Sequence, residues 1–180
     1  MITSTERLVL RKFRETDADA VHAYASDPEV CKYTDFGPNT WEDTVNFVNT
    51  AMNHEPDSLA DLAIALRSTR EVIGGTGAFL PKGEEPDERP HVREIGYVLR
   101  RDLWGQGLVT EAATALISLL KQTGTVTRIE ARCRPENLAS ARVMQKLGMK
   151  FEFLLERDYE CKGVWVDSHL YSLDLRAPRP

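Results

Sequence analysis

The spacing of apolar and polar positions changes period several times along the chain, and each change marks an element. Over residues 5–13, Leu8 and Leu10 alternate with Arg7, Val9 and Arg11, the pattern of a half-buried strand. Thr16 and Asp17 offer an N-cap, with Asp19 three residues after Thr16, and open an amphipathic helix to about Ala25 that Ser26-Asp27-Pro28 stops. Thr40-Trp41-Glu42-Asp43 repeats the capping pattern, and Trp41, Val45, Phe47, Val48 and Met52 then follow helical spacing.

Residues 59–66 and 71–80 read as two strands joined by a short polar link, a hairpin. Residues 81–90, with three prolines and four acids, continue neither strand and read as an exposed, mobile loop. A strand resumes over 92–100. Beyond Gly105 and Gly107, the apolar residues Leu108, Ala112, Leu116 and Leu120 recur every four positions along a helix that Gly124 ends. A strand over 127–133, a helix over 137–147 closed by Gly148, and strands over 151–157 and 164–175 complete the chain. The order β, α, α, β, β, β, α, β, α, β, β predicts an α/β (α+β) fold: a mostly antiparallel, seven-stranded sheet with a parallel crossover inserted late. Gly74-Gly75-Thr76-Gly77 lies in a strand with no helix after it and reads as a bulge.

Composition narrows the class. The chain has 180 residues, 42% hydrophobic and 28% charged, the profile of one globular domain, here 1–175, with a frayed tail over 176–180. A chain this long buries roughly 70% of its unfolded surface, so it needs no staples. Cys31, Cys133 and Cys161 are odd in number and lack Cys-x-x-Cys spacing, which argues against disulfides and zinc. His22, His54, His91 and His169 form no ligand pair at helical or hairpin spacing, so no metal is expected. No apolar run has the length of a signal sequence or a membrane span, and a reducing, cytoplasmic compartment follows as the expectation.

Net charge is −5, yet residues 100–150 carry nine Lys or Arg against four acids, or +5, leaving −10 elsewhere. A basic segment inside an acidic chain suggests a local anionic ligand rather than a nucleic-acid footprint; a solvated helix surface would account for the charge equally well.

The segment EIGYVLRRDLWGQGLVTE, from Glu94 to Glu111, passes from a strand through two glycines directly into a helix. Glycines let backbone N–H groups approach phosphate oxygens, and the new helix adds unpaired donors and the positive end of its dipole. A plain turn at a helix start would also explain Gly-x-Gly alone. The dinucleotide fingerprint fails because Thr110 stands at its third small position, and no P-loop run occurs.

Three motifs in order resemble the GNAT superfamily of acetyl-CoA-dependent N-acetyltransferases, over nearly the whole chain. Thr5-Glu6-Arg7-Leu8-Val9-Leu10-Arg11 looks like the opening strand of its Rim-type branch, whose members acetylate ribosomal-protein N-termini. Ile95-Gly96-Tyr97-Val98-Leu99 with Trp104-Gly105-Gln106-Gly107 and Thr110-Glu111-Ala112 looks like the cofactor motif. Asn137-Leu138-Ala139-Ser140 with Lys146-Leu147-Gly148-Met149 is similar to the motif after it. The resemblance implies a GNAT fold with a splayed parallel central pair, around Val98 and Ala131, and flanking helices. It implies that main-chain groups near Val98 and Leu99 hold the pantetheine arm of acetyl-CoA. Amides of Gly105, Gln106, Gly107, Leu108, Val109 and Thr110 would hold the pyrophosphate, Asn137 would reach the cofactor, and Arg142 or Lys146 would meet the adenosine phosphates. Val109 replaces a small residue of the family pattern, and Met144 stands where many members carry a tyrosine acid. Ser140 occupies the position of the Rim-type serine that protonates the leaving thiolate.

Amide formation needs an uncharged amine, an oxyanion donor and an acid for the leaving group. No Cys-His or Ser-His-Asp arrangement is evident, so direct attack in a ternary complex is expected. Glu94 is the candidate base, with Glu160 second. At about pH 7.4 an α-amine of pKa about 7.8 is roughly a quarter neutral, while lysine is on the order of 0.1% neutral. A peptide N-terminus or a small-molecule amine therefore suits the chemistry better than a lysine side chain. Trp41 and Tyr33 are candidates to line the acceptor pocket, with core packing the other reading of Trp41. The rival function is a degenerate acyl-CoA-binding sensor. Neither nucleic acid nor membrane is expected as a partner, and a homodimer paired through the last strands or the 81–90 loop stays open.

Overall fold

The computed structural model describes residues 2–55, 58–83, 85 and 88–176. Eight strands run in chain order: β1 (Thr3–Ser4), β2 (Leu8–Lys12), β3 (Leu62–Leu66), β4 (Val72–Phe79), β5 (Val92–Leu99), β6 (Arg128–Cys133), β7 (Lys150–Cys161) and β8 (Val164–Asp174). Four helices, α1 (Ala18–Ala25), α2 (Trp41–Met52), α3 (Leu108–Gln122) and α4 (Leu138–Lys146), complete the regular structure. The strands form one sheet in the order β1-β2-β3-β4-β5-β6-β8-β7. It is mostly antiparallel, and β5 and β6 are its parallel pair. The eighth strand, beyond the seven expected, is the two-residue β1, too short to carry a period.

By contact the chain resolves into two compact units, residues 1–77 with 97–115, and residues 78–96 with 116–180. In the first, α2 starts where the sequence placed it. Thr40 Oγ1 accepts from Asp43 N at 3.2 Å while the Asp43 carboxylate accepts from Thr40 N at 2.9 Å, a reciprocal cap. The start of α1 differs from expectation. A 3-10 turn over Glu15–Asp17 precedes it, and Asp17 makes no side-chain cap bond to the helix. Its carboxylate is taken by Arg11, with contacts of 2.6 and 2.8 Å.

That pairing also revises the half-buried reading of β2. Leu8, Val9 and Leu10 are all buried, and so is Arg11, because Asp17 satisfies its guanidinium. The core of this unit gathers Phe13, Val21, Tyr24, Val48, Ala63, Ala65 and Val72. Register slips in the β3–β4 ladder, with Ile64 opposite Gly74 and Ala65 opposite Val72, so the bulge expected at this glycine run sits beside Gly74. A Cβ on Gly74 would lie 2.2 Å from the Val98 carbonyl oxygen, so only glycine fits.

In the second unit, β6, β8 and β7 pair antiparallel in turn, and β7 is the edge. Cys161 is the last residue of β7 and is buried. Along α3, whose residues 108–115 belong to the first unit, all four residues of the expected stripe, Leu108, Ala112, Leu116 and Leu120, are buried. Within the 81–90 loop, residues 84, 86 and 87 lie outside the described residues, as do 177–180 of the expected frayed tail. Among the described residues no helix is long and apolar enough to cross a membrane.

Candidate active site

The glycine turn is built from β5 outward. The Leu99 carbonyl accepts from the Trp104 indole N–H at 2.8 Å, and Arg100 N donates to the Ile73 carbonyl at 2.8 Å. The Arg100 side chain ties to Asp102, with Nε 2.7 Å from Oδ1, and to Glu71. A 3-10 turn over Arg101–Leu103 then delivers Gly105 and Gly107, at φ of +78° and +77°, and α3 begins at Leu108. Side chains rarely adopt that conformation, which is why glycine stands at both places.

The consequence is a set of unpaired donors. Among the described residues, the N–H groups of Gly105, Gln106, Gly107, Leu108, Val109 and Thr110 donate to no protein acceptor; the first inward bond runs from Glu111 N to the Gly107 carbonyl at 3.0 Å. Gly105, Gln106 and Gly107 are exposed, and a Cβ on Gly105 would meet nothing within 4 Å. Six undonated amides at a helix N-terminus suit an anion with several oxygens. Val98 lies half-buried on the same strand; the Leu99 carbonyl beside it already accepts from Trp104.

The second unit carries the carboxylates. In the parallel ladder Glu94 stands opposite Glu130, the last registered pair, although β5 and β6 both continue past it. Two neighbouring acids are pushed in opposite directions. Burial raises the Glu94 pKa above the ordinary carboxylate range, with Asp158 and Glu130 adding to it; Arg132 and the Lys82 amide pull the other way without reversing it. Burial also acts on Glu130, but hydrogen bonds from Arg89 and Arg128 outweigh it and hold that pKa low. Arg89 bonds Glu130 at 2.8 and 3.1 Å and Arg128 at 2.9 Å.

Glu94 Oε2 accepts from Lys82 N at 3.0 Å and lies 3.6 Å from Arg132 Nε, while the other end of that guanidinium lies 3.3 Å from Asp158. The Lys82 ammonium sits 3.6 Å over the Tyr159 ring. Sequence reasoning singled out neither Lys82, Arg132, Asp158 nor Tyr159, because their only signal is tertiary. Glu160, the second candidate base, is exposed on β7 opposite Trp165.

On α4, Asn137 Oδ1 accepts from Ser140 N at 3.1 Å, so the asparagine is the helix N-cap, and among the described residues its amide Nδ2 has no acceptor. Ser140 is half-buried, Arg142 exposed and Met144 buried. Arg100, Arg101, Arg128 and Arg132 all face acids, whereas Arg142 and Lys146 are exposed. Cys133 is buried, and burial pushes its thiol up to about 11, which disfavours the thiolate. Trp41 is exposed, edge-on to His22 at 5.3 Å, which removes the core-packing reading; Tyr33 is half-buried.

The chain belongs to the acetyltransferase (GNAT) domain family, which it matches over residues 7–150. It is 37% identical over 175 residues to the uncharacterized N-acetyltransferase p20 of Bacillus licheniformis, covering 94% of this chain and 93% of that one. The crystal structure of a GNAT-family acetyltransferase from Bacillus anthracis superposes with a TM-score of 0.83 at 33% identity, over 95% of this chain and 96% of that chain. The [ribosomal protein uS5]-alanine N-acetyltransferase of Escherichia coli K12, of the Rim type, is 25% identical over 179 residues, 94% of this chain and 89% of its own. The protein is therefore an acetyl-CoA-dependent acetyltransferase.

Proposed function

We propose that residues 1–175 work as one N-acetyltransferase domain that moves the acetyl group of acetyl-CoA to a primary amine, a peptide N-terminus or a small-molecule amine, by direct attack in a ternary complex. The observation that carries the reading is the run of six undonated amides from Gly105 to Thr110 at the start of α3. They would hold the diphosphate, main-chain groups at Val98 and Leu99 the pantetheine arm, Asn137 Nδ2 an acceptor on the cofactor, and Arg142 the adenosine phosphates. Acetyl-CoA supplies the activated acyl carbon.

Glu94 is the proton acceptor for the attacking amine, directly or through one water. A carboxylate whose pKa is lifted by burial is a stronger base than a solvated one, and the Arg132 guanidinium 3.6 Å away favours its ionised form. Ser140 is the acid for the departing thiolate, since the residue four further along α4 is the buried, apolar Met144. The three cysteines, all buried thiols, suit a reducing, cytoplasmic setting.

A panel of peptides and small amines, assayed for free thiol release from acetyl-CoA, tests the reading. Turnover with an α-amine acceptor above that with a lysine side chain is the expected result. Acetyl-CoA binding without release for every acceptor would instead establish the sensor, which the buried Met144 and the half-buried Val109 favour.

A further inference from the structure

Glu111 sits in the first turn of α3, next to amides that the proposed function gives to a diphosphate. A carboxylate there has the wrong sign for such a ligand. Both of its oxygens are taken. Oε1 accepts from Arg7 N at 2.9 Å and from the Thr5 hydroxyl, and Oε2 accepts from Arg7 Nε at 2.7 Å. The same guanidinium reaches the loop itself, with Nη1 donating to the Gln106 carbonyl at 3.0 Å and Nη2 lying 3.8 Å from where a Cβ on Gly107 would stand. Arg7 belongs to the turn between β1 and β2, distant in sequence from everything it touches here.

The Gln106 contact has a geometric consequence. In a trans peptide the carbonyl and the following N–H point in opposite directions. Fixing the Gln106 oxygen on Arg7 therefore aims the Gly107 N–H away from Arg7, as one of the six undonated amides. Thr5 Oγ1 also accepts from Leu8 N at 3.0 Å, so the turn that presents Arg7 is itself braced.

We propose that Arg7 is a positioning residue for the diphosphate loop: it neutralises Glu111 and clamps the Gln106 carbonyl, so that neither negative group opposes the incoming phosphates and the Gly107 amide faces them. The inference rests on the Gly105–Thr110 reading, and the test separates the two. Coenzyme A dissociation constants are measured by calorimetry for the wild type, Arg7→Ala, Arg7→Lys, Glu111→Gln and the double variant Arg7→Ala/Glu111→Gln, each with a thermal unfolding curve.

Arg7→Ala should weaken coenzyme A by roughly ten-fold or more, the scale of one charge-assisted contact. The double variant should regain at least about three-fold over Arg7→Ala, because the charge that Arg7 masked is gone; a purely structural role would instead leave the double no better than the single. Arg7→Lys keeps the charge but cannot span both acceptors, and should fall between wild type and Arg7→Ala. If Arg7→Ala does not fold, Arg7→Lys carries the test, with a loss of about three-fold expected. Arg7 variants that bind coenzyme A as the wild type does, or a double variant no better than Arg7→Ala, overturn the proposal. Should Gly107→Val also leave binding unchanged, the loop reading falls with it; should Gly107→Val abolish binding while Arg7 variants do not, only the present inference falls.

Discussion

Replacing Gly74 by alanine tests whether β4 holds β5 at the place assigned to the pantetheine arm. The new Cβ would stand 2.2 Å from the Val98 carbonyl oxygen, 3.2 Å from its carbonyl carbon and 3.0 Å from Leu99 Cα. All three are backbone atoms, so no side chain can rotate away. Reaching an ordinary contact of 3.4 Å requires the two strands to part by about 1.2 Å. Overpacking of this kind costs roughly 1–3 kcal/mol. At about 2–4 °C per kcal/mol for a chain this size, Tm should fall by about 2–12 °C. A displacement of about 1 Å at a positioning element can lower turnover by roughly 10²-fold. Denaturant unfolding gives the stability change, and thiol release in the same preparation gives kcat/KM. A Gly74→Ala protein as stable and as active as the wild type would refute the close approach of these strands and the role given to Val98 and Leu99.

Further outcomes follow from the carboxylates and caps. With Glu94 as base, kcat/KM should fall on the acidic side around a pKa above the ordinary carboxylate value, and Glu94→Gln should lose that limb; an unchanged limb would move the base elsewhere. Arg132→Gln removes a positive charge that lowers the Glu94 pKa, so the limb should move to higher pH. The linked effect on stability has a definite sign: ionised Glu94 is unfavourable in the fold, so the penalty is absent below its unfolded pKa and complete above its folded one. Glu94→Gln should therefore gain stability relative to wild type as pH rises through that window, which chemical denaturation at several pH values will read. Ser140→Ala should reduce kcat by roughly 10²-fold or more with little change in coenzyme A affinity, and unaltered turnover would remove its acid role. Thr40→Ala breaks the reciprocal cap of α2 and should lower unfolding free energy by about 0.5–2 kcal/mol; a smaller change would show that the Asp43 bonds do not stabilise the helix.

Local order was legible in the sequence because local physics produces it. The every-fourth apolar stripe of α3, the Thr40–Asp43 cap and the two positive-φ glycines ahead of Leu108 each depend on neighbours within a few residues. The start of α1 was not legible, since Asp17 had to choose between a helix cap and Arg11, and the bidentate ion pair won. The half-buried reading of β2 failed for the same reason: a strand-face arginine looks exposed until its partner is known.

The sequence by itself determined the order of elements, the family resemblance and the glycine turn with its run of unpaired amides. Only the tertiary structure decided which charges remain available. Glu94 is lifted and Glu130 held low by neighbours drawn from other segments, and Arg7 meets Glu111 across 104 positions of chain. Periodicity and capping act over one or two turns of backbone, whereas desolvation and ion pairing depend on distance in space, which folding sets.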